Sequence, residues 1–540
     1  MGSDSKRRKT SLTPEGAAMS ATVKEMDATS GFDVVVVCTS NVAQESYWQD
    51  RLTATRGQAA KKDAVIVAVH EDWGADGAGN GLGTLYAYTK AKAKAKQSGS
   101  DLDQILATGG TVGIYHTAGK GTRLAPLPGA ENNNKPGVKL PSLVEIAPGV
   151  TSELTILEAV VRQTGCYAPK RSGRCSVFWG DQIFVPSAGH AESGAHHADI
   201  LAQMGPMPGE QEWVAKGLDK YGLITVNEQN EAAQVEKVSY DTAQRLLKSF
   251  GKVTSVGPSL GSFSLSNEML VELLSEFSAE LAGKEAKMDS DPHFWMPLTL
   301  DKASYVSVMV TKDETEAQAG KHHDRMQQFK TKLLAAHPSK GVFGAINVGE
   351  SCYWWDYGQL KLYQVNNMLV MADTEEAEAL REYLKIPADR KVGCQCAGDV
   401  KLTDGAVCLA SRIKSGELKR TIASHVATDQ IDAQGCILIN VTARKIKASN
   451  CIVYNVVDDS EDGLILPDGA VVTNVFMPGR EKLIQTSSTT TDGGEVFKVK
   501  MTPNPFSFGD VYKMNQTTDV KAAYAEGAKA HADARAKLGL

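Results

Sequence analysis

Short apolar runs rich in β-branched residues mark the first third of the chain. Asp33-Val-Val-Val-Val-Cys38 and Ala64-Val-Ile-Val-Ala-Val69 are bounded by polar residues and carry no alternation, the pattern of strands buried on both faces. Val112 to Tyr115 and Cys175-Ser-Val-Phe-Trp179 repeat it. Helical patterns lie between and after them. Thr39-Ser40-Asn41 caps a helix from Ala43 to Leu52. Thr155-Ile-Leu-Glu158 has the spacing of a capping box, with Gly165 as the stop. Further helices are predicted over Asn267 to Phe277, Lys312 to Ala336 (strongly charged) and Lys361 to Leu369. Strand, loop and helix in alternation predict a doubly wound, mostly parallel α/β sheet of Rossmann-like type, with ligand loops at the strands' carboxyl ends.

From about residue 395 the pattern becomes short strands and turns. Cys436-Ile-Leu-Ile-Asn440-Val441, Cys451-Ile-Val-Tyr-Asn455-Val456 and Ala470-Val-Val-Thr-Asn474-Val475 repeat one another, and Asp404-Gly-Ala-Val407 echoes Asp468-Gly-Ala-Val471. Imperfect repeats of this length predict the coils of a parallel β-helix with asparagines stacked at a corner. Val520 to Leu540 is an alanine-rich helix with a face suited to docking on a neighbour. The expected division is a disordered tail over 1–30, a catalytic domain over 31–392, a β-helix domain over 393–515 and a terminal helix over 516–540.

Composition narrows the function classes. With 540 residues, 42% hydrophobic and 23% charged, the chain is long enough for more than one core and ordinary for a soluble protein. A net charge of −6 gives no bulk attraction to nucleic acid or anionic membrane. No apolar run approaches a membrane span of about 20 residues. Nine scattered cysteines read as reduced thiols in a cytoplasmic setting. Cys394-x-Cys396 with Cys408 is either the start of a metal site or a set of buried thiols. The basic cluster Lys6-Arg7-Arg8-Lys9 is a solvated tail or a nuclear signal, and a plastid transit peptide also remains open.

The chemistry centres on Thr111-Val-Gly-Ile-Tyr-His-Thr-Ala-Gly-Lys-Gly-Thr-Arg-Leu-Ala-Pro-Leu127, followed by Asn134-Lys135-Pro136. A strand breaks into Gly119-Lys120-Gly121-Thr122-Arg123, where two glycines let backbone N–H groups converge without side chains in the way. Lys120, Arg123 and Lys135 surround that point with positive charge, which suits a polyphosphate. A Walker loop is excluded, because Gly121 follows Lys120 where Ser or Thr is needed. Gly-x-Gly-x-x-Gly fails as well, with Leu124 in place of the last glycine.

Residues 119–127 resemble the Gly-x-Gly-Thr-Arg-Leu-x-Pro-Leu signature of the sugar-1-phosphate nucleotidyltransferases at every fixed position, and Lys135-Pro136 resembles the Lys-Pro that follows it. The resemblance implies that Gly119, Lys120, Gly121 and Thr122 cradle a triphosphate. It implies that Arg123 holds the leaving pyrophosphate and that Lys135 neutralises the α-phosphate. The family reads Lys-Pro-x-x-Pro, whereas this chain reads Lys135-Pro-Gly-Val-Lys139-Leu-Pro141, so Lys139 shares or replaces that role. Gly180-Asp181 after the Cys175–Trp179 run resembles the family's metal-binding turn. Trp354-Trp-Asp356-Tyr-Gly358 resembles the turn that carries its second ligand, with Gln359 in place of threonine; the alternative is an aromatic cluster with Asp356 capping a helix. Both aspartates are thereby implied to hold Mg²⁺. Tyr221-Gly222 and Glu236-Lys237 resemble the family's sugar-binding positions, and a solvated charge pair is the alternative for the last two.

A glycine segment that lines the base pocket follows the loop in that family. Here Gly81-Leu-Gly83-Thr84 precedes it, which suggests a circular permutation and weakly resembles the segment order of GDP-fucose pyrophosphorylases; a flexible surface loop is the alternative. The reading is a cytoplasmic enzyme joining an NTP (UTP or GTP) and a sugar 1-phosphate into an NDP-sugar, with release of pyrophosphate. A homo-oligomer through the β-helix or the terminal helix is open. The rival is a non-catalytic nucleotide-sugar sensor or regulatory subunit. The base and the sugar are not legible.

Overall fold

The computed structural model describes residues 12–27, 31–74, 77–188, 194–248, 250–403 and 405–540. The apolar runs form the sheet they predict. Strand Val34–Thr39 pairs in parallel with Val65–His70 on one side and with Val112–His116 on the other, and the last of these pairs in parallel with Arg174–Trp179. Every residue of Val34–Thr39 is buried, because helices cover both faces. Beyond Arg174–Trp179 the sheet turns antiparallel through Val253–Ser266, Gly222–Asn227 and Ala232–Glu236. A branch, His196–Ala202 with Gly341–Asn347, leaves at the long strand.

Chain order decides where a ligand can enter. The chain runs from Val34–Thr39 to its neighbour on one side, then crosses to Val112–His116 on the other. The two connections diverge there and leave a crevice at the carboxyl ends, the usual ligand position in such sheets. Thr39, His70, His116 and Trp179 end their strands on that one edge.

The C-terminal region is built of short strands paired in parallel and in register. Ile422, Ile437 and Ile452 are in register, as are Leu418 with Ala433 and Ala433 with Ala448. Two of the three repeated asparagines stack, Asn440 Nδ2 donating to Asn455 Oδ1 at 2.7 Å, while Asn474 Oδ1 accepts from Val457 N at 2.9 Å. Asn440 and Asn455 have φ near +50°, a left-handed turn that asparagine tolerates better than most residues. Asp404 and the basic cluster at 6–9 lie outside the described residues.

One expectation needs correction. The stretch assigned to a disordered tail contains a helix, Pro14–Asp27, with Met19, Val23 and Met26 buried. It packs against Glu375–Tyr383 and Ile156–Thr164, and Glu375 accepts from both Thr13 N (2.9 Å) and Thr13 Oγ1 (2.8 Å). The apolar positions are few among Ser, Thr and Ala, so composition hid a periodic face. The terminal helix, Val520–Leu538, spends its small-residue face within its own chain. It lies on Val42–Ala54 and on the strands Ile437–Ala443 and Ile452–Asp458, with Tyr524 5.0 Å from Tyr47. Burial of aliphatic side chains of this size contributes about 1.5–3 kcal/mol each. Val23→Asp should therefore lower unfolding free energy by about 3 kcal/mol, read by denaturant titration. A variant as stable as the parent would restore the tail reading.

Candidate functional site

A cleft of about 410 Å³ opens at the carboxyl edge of the parallel strands, lined by Glu71, Asn80, His116, Gly119, Lys135 and Asp181 among others. Local sequence explains how these groups arrive together. Val112–His116 and Arg174–Trp179 end side by side, and Gly180 N donates to His116 O at 3.1 Å. A Cβ on Gly180 would sit 3.1 Å from that oxygen and from Thr117 Cγ2, so glycine is what lets the two turns touch. Gly121 has φ +62°, and the stem of Lys135 passes 3.1 Å from where its Cβ would be. That close passage directs Lys135 Nζ onto Asp181 Oδ2, with which it forms an ion pair.

Asp356 joins them from far along the chain. Tyr353–Asp356 pairs antiparallel with Gln182–Val185, so Asp356 lies opposite Gln182, and Tyr357 N donates to Asp181 O at 3.0 Å. A Cβ on Gly358 would lie 2.8 Å from Asp181 Oδ2 and 3.0 Å from Asp356 Oδ1, which shows the two carboxylates converging on one small space. Burial, with the Asp181 charge beside it, raises the Asp356 carboxyl above the usual carboxylate range; the Gly358 N–H, Lys135 and Arg123 pull it back. Asp356 caps no helix: Gln359 precedes helix Leu360–Met368.

The opposite wall comes from the segment before the loop. Burial lowers His116 to about 4, so the ring is neutral at pH 7. Its Nε2 lies 2.8 Å from Thr84 Oγ1, and the Thr84 hydroxyl donates to Asn80 O at 2.7 Å, so the ring proton sits on Nε2. The His116 and Trp179 rings lie 5.5 Å apart. Trp179 rests on Gly261, where φ is +73° and a Cβ would be 2.3 Å from the indole nitrogen.

Other expected residues fall elsewhere. Gly81 and Gly83 lie inside helix Gly79–Gln97 and face protein: a Cβ on Gly81 would meet Met288 O at 2.9 Å, and one on Gly83 would meet Glu71 Oε2 at 3.1 Å. The first N–H groups of that helix are also taken, since Gly81 N donates to Met288 O and Asn80 N to Asp289 Oδ1, both at 2.9 Å. The segment reaches the cleft through Gly77, Gly79 and Asn80 instead. Lys120 turns away and places Nζ 5.9 Å from the Tyr512 ring centroid. Lys139 is buried in an ion pair with Glu131 at 2.5 Å, away from Asp181. Gly222, Glu236 and Lys237 sit at the sheet's antiparallel end and are not among the lining of this cleft. The Glu236 charge still reaches Asp291, next to the residues that cap Asn80.

Three features escaped sequence reasoning. The first is Glu71, whose Oε1 accepts from Ala78 N at 3.1 Å and whose carboxyl is raised by burial. The second is the segment from Met288 to Trp295, which buries Phe294 and Trp295 and backs the wall by bonding the start of helix Gly79–Gln97. The third is a C-terminal loop laid on the glycine loop: a Cβ on Gly493 would be 2.4 Å from Thr122 O, and Gly494 lies beside Arg123. Cys394 Sγ donates to Cys408 O at 2.9 Å, but among the described residues no group of three or more His, Cys, Asp or Glu is placed to hold a metal ion. No described helix is long and apolar enough to cross a membrane.

No protein-family model matches this sequence, and a search of curated proteins returns no match. One solved structure with a detectable likeness is the crystal structure of HddC from Yersinia pseudotuberculosis, at 10% identity, with 62% of this chain and 98% of that chain covered. The TM-score is 0.19, too low for that likeness to carry an argument.

Burial raises Asp291 to about 6, with Glu236 adding to the shift. An acid whose folded pKa is raised loses stability as pH climbs from its ordinary value through the folded one. Asp291→Asn removes that loss. Its melting temperature relative to the parent should rise between pH 4 and pH 7 and level off above; a flat difference would contradict the burial argument.

Proposed function

We propose that the chain is a nucleotidyltransferase that joins a nucleoside triphosphate to a sugar 1-phosphate and releases pyrophosphate. The observation that carries the reading is the convergence of Asp181, Asp356 and Lys135 beside the Gly119 loop, at the carboxyl edge of a parallel sheet. The match of residues 119–127 to the Gly-x-Gly-Thr-Arg-Leu-x-Pro-Leu signature supports it. In this reading residues 31–392 are the catalytic domain and the stacked parallel strands after it are a β-helix.

The reaction asks the protein for position and charge rather than for a nucleophile. The acceptor's phosphate oxygen attacks the α-phosphorus in line, and pyrophosphate leaves. The N–H groups around Gly119 and Gly121 face the triphosphate, and Arg123 takes the leaving group. Lys135, released from Asp181, meets the charge that grows on the α-phosphate. The resemblance assigns the sugar phosphate to Glu236 and Lys237, which lie at the antiparallel end, outside the lining of the cleft. Asp181 and Asp356 fit Mg²⁺, because a pair of crowded carboxylates, one with a raised pKa, is relieved by a hard cation that shares phosphate oxygens. When bound, such an ion neutralises charge on the departing pyrophosphate. Lys139 has no part in this scheme, since its charge is spent on Glu131.

The test is pyrophosphate release with Mg²⁺, each of four triphosphates and a set of sugar 1-phosphates. Turnover with at least one pair is expected. Nucleotide-sugar binding without turnover would make the chain the sensor subunit instead. Asp181→Asn and Asp356→Asn should each lower turnover by about 10²-fold or more with melting unchanged. Lys135→Ala should do the same. Lys139→Ala should chiefly lower stability, by about 3–5 kcal/mol, because it strands a buried carboxylate. Equal turnover losses with equal melting for the two lysine variants would return Lys139 to the site.

A further inference from the structure

A second cavity, of about 490 Å³, lies where three parts of the chain meet: helix Val42–Ala54, the stacked strands around Asn440 and Asn455, and helix Val520–Leu538. Most charged groups in its walls are already matched. Lys139 pairs with Glu131, Arg51 with Glu158 and Lys521 with Asp50. Two are left over. Glu153 is 3% exposed, its Oε1 has no hydrogen-bond partner among the described residues, and the ring of His425 is 3.7 Å away; burial opposes its charge, while neighbours that include Lys139 and Arg51 favour it from a distance. The guanidinium of Arg535, half-buried, has no hydrogen-bonding or ion-pair partner among the described residues, and burial and Arg412 oppose its charge. Both line the cavity without pairing with each other. His531 is close to both; it is 2% exposed, tied to Thr442 Oγ1 at 2.9 Å, and held uncharged by burial.

We propose that this cavity binds a small hydroxylated anion, a phosphate ester or a hydroxy acid, at a site separate from the cleft. A guanidinium takes phosphate or carboxylate oxygens in a two-pronged contact. The carboxylate of Glu153, in the wall of the same space, is the acceptor within reach of a hydroxyl donor. Tyr47, Phe476 and Tyr524 offer apolar surface to the carbon skeleton between those ends. The volume suits a metabolite-sized molecule. A polyanion is disfavoured, because Glu153 repels a second negative group.

An occupant would touch the segment that carries Lys135. Tyr524 hydrogen-bonds Glu131, and a Cβ on Gly137 would lie 3.1 Å from the Tyr524 hydroxyl. Gly137 belongs to the turn Lys135–Gly137. The site stands on its own observations and does not depend on the transferase reading.

The test is calorimetric titration of the full chain. The probes are inorganic phosphate, glycerol 3-phosphate, fructose 6-phosphate, malate, and uncharged fructose as the neutral arm. At least one hydroxylated anion should bind with a Kd at or below the low millimolar range, and the phosphate and carboxylate arms tell which head group is used. Arg535→Ala should weaken that binding by about tenfold or more, and Glu153→Gln should weaken it for hydroxylated anions more than for inorganic phosphate. Asp181→Asn should leave it unchanged. If Glu153→Gln does not fold, Arg535→Ala decides alone, since that side chain is half-exposed. The proposal fails if no anion binds, if fructose binds equally well, or if Arg535→Ala leaves the Kd intact.

Discussion

A single buried carboxylate ties the molecule together. Glu131 is fully buried and accepts from Lys139 Nζ at 2.5 Å, from Tyr454 OH at 2.6 Å and from Tyr524 OH. Those three donors come from the strand after the glycine loop, from a C-terminal coil and from the terminal helix. A buried ion pair of this kind gains little over an apolar replacement, yet breaking it by removal of one partner costs about 3–5 kcal/mol. Its effect is to fix geometry. The Lys139 backbone is fixed too: its N–H donates to Tyr454 OH at 2.8 Å, and its carbonyl accepts from Tyr363 OH at 2.7 Å. The two residues that follow Glu131, Asn132 and Asn133, donate to Phe476 O and Tyr512 O. The segment that delivers Lys135 to the cleft is therefore clamped by side chains distant in sequence.

That clamp matters because the cleft concentrates charge. Two aspartates approach each other beside one lysine, and burial first, then the Asp181 charge, raises the Asp356 carboxyl. Such an arrangement relaxes apart unless the backbone prevents it. Here the backbone of Asp181 is bonded to Tyr357 N, the strand pair Gln182–Val185 with Tyr353–Asp356 fixes the spacing, and the Gly180 contact fixes the turn. Electrostatic strain at the site is balanced by hydrogen bonds and packing outside it.

The buried strands, the Thr155 capping box with both of its hydrogen bonds, and the stacked asparagines were legible because each depends on neighbours in sequence. The nearness of Lys135 and Asp181 was legible only through a resemblance, since no local pattern brings residues that far apart together. The choice between Lys135 and Lys139 was not legible at all: both are lysines beside a proline-bearing turn, and what separates them is Glu131, Tyr454 and Tyr524. The glycines at 81 and 83 misled for a similar reason. Glycine marks close approach, and sequence does not say whether a ligand or the protein's own Met288 carbonyl approaches. The helix Pro14–Asp27 was missed because three apolar residues suffice when a partner surface is ready.

The C-terminal loop adds a last step. Gly493 packs so closely that Thr122 O would lie 2.4 Å from a Cβ there, and Asn515 Nδ2 donates to Gly129 O at 2.9 Å. The glycine loop, with φ of +133° at Gly119 and +62° at Gly121, has little rigidity of its own. Its N–H groups can face a common point only if something outside the cleft fixes the backbone. The C-terminal region supplies that support at Thr122, Gly129, Asn132 and Asn133, on the side away from Asp181. The segment after the stacked strands, with Gly493 and helix Phe508–Asn515, thus buttresses the glycine loop by tertiary contact without lining the cleft.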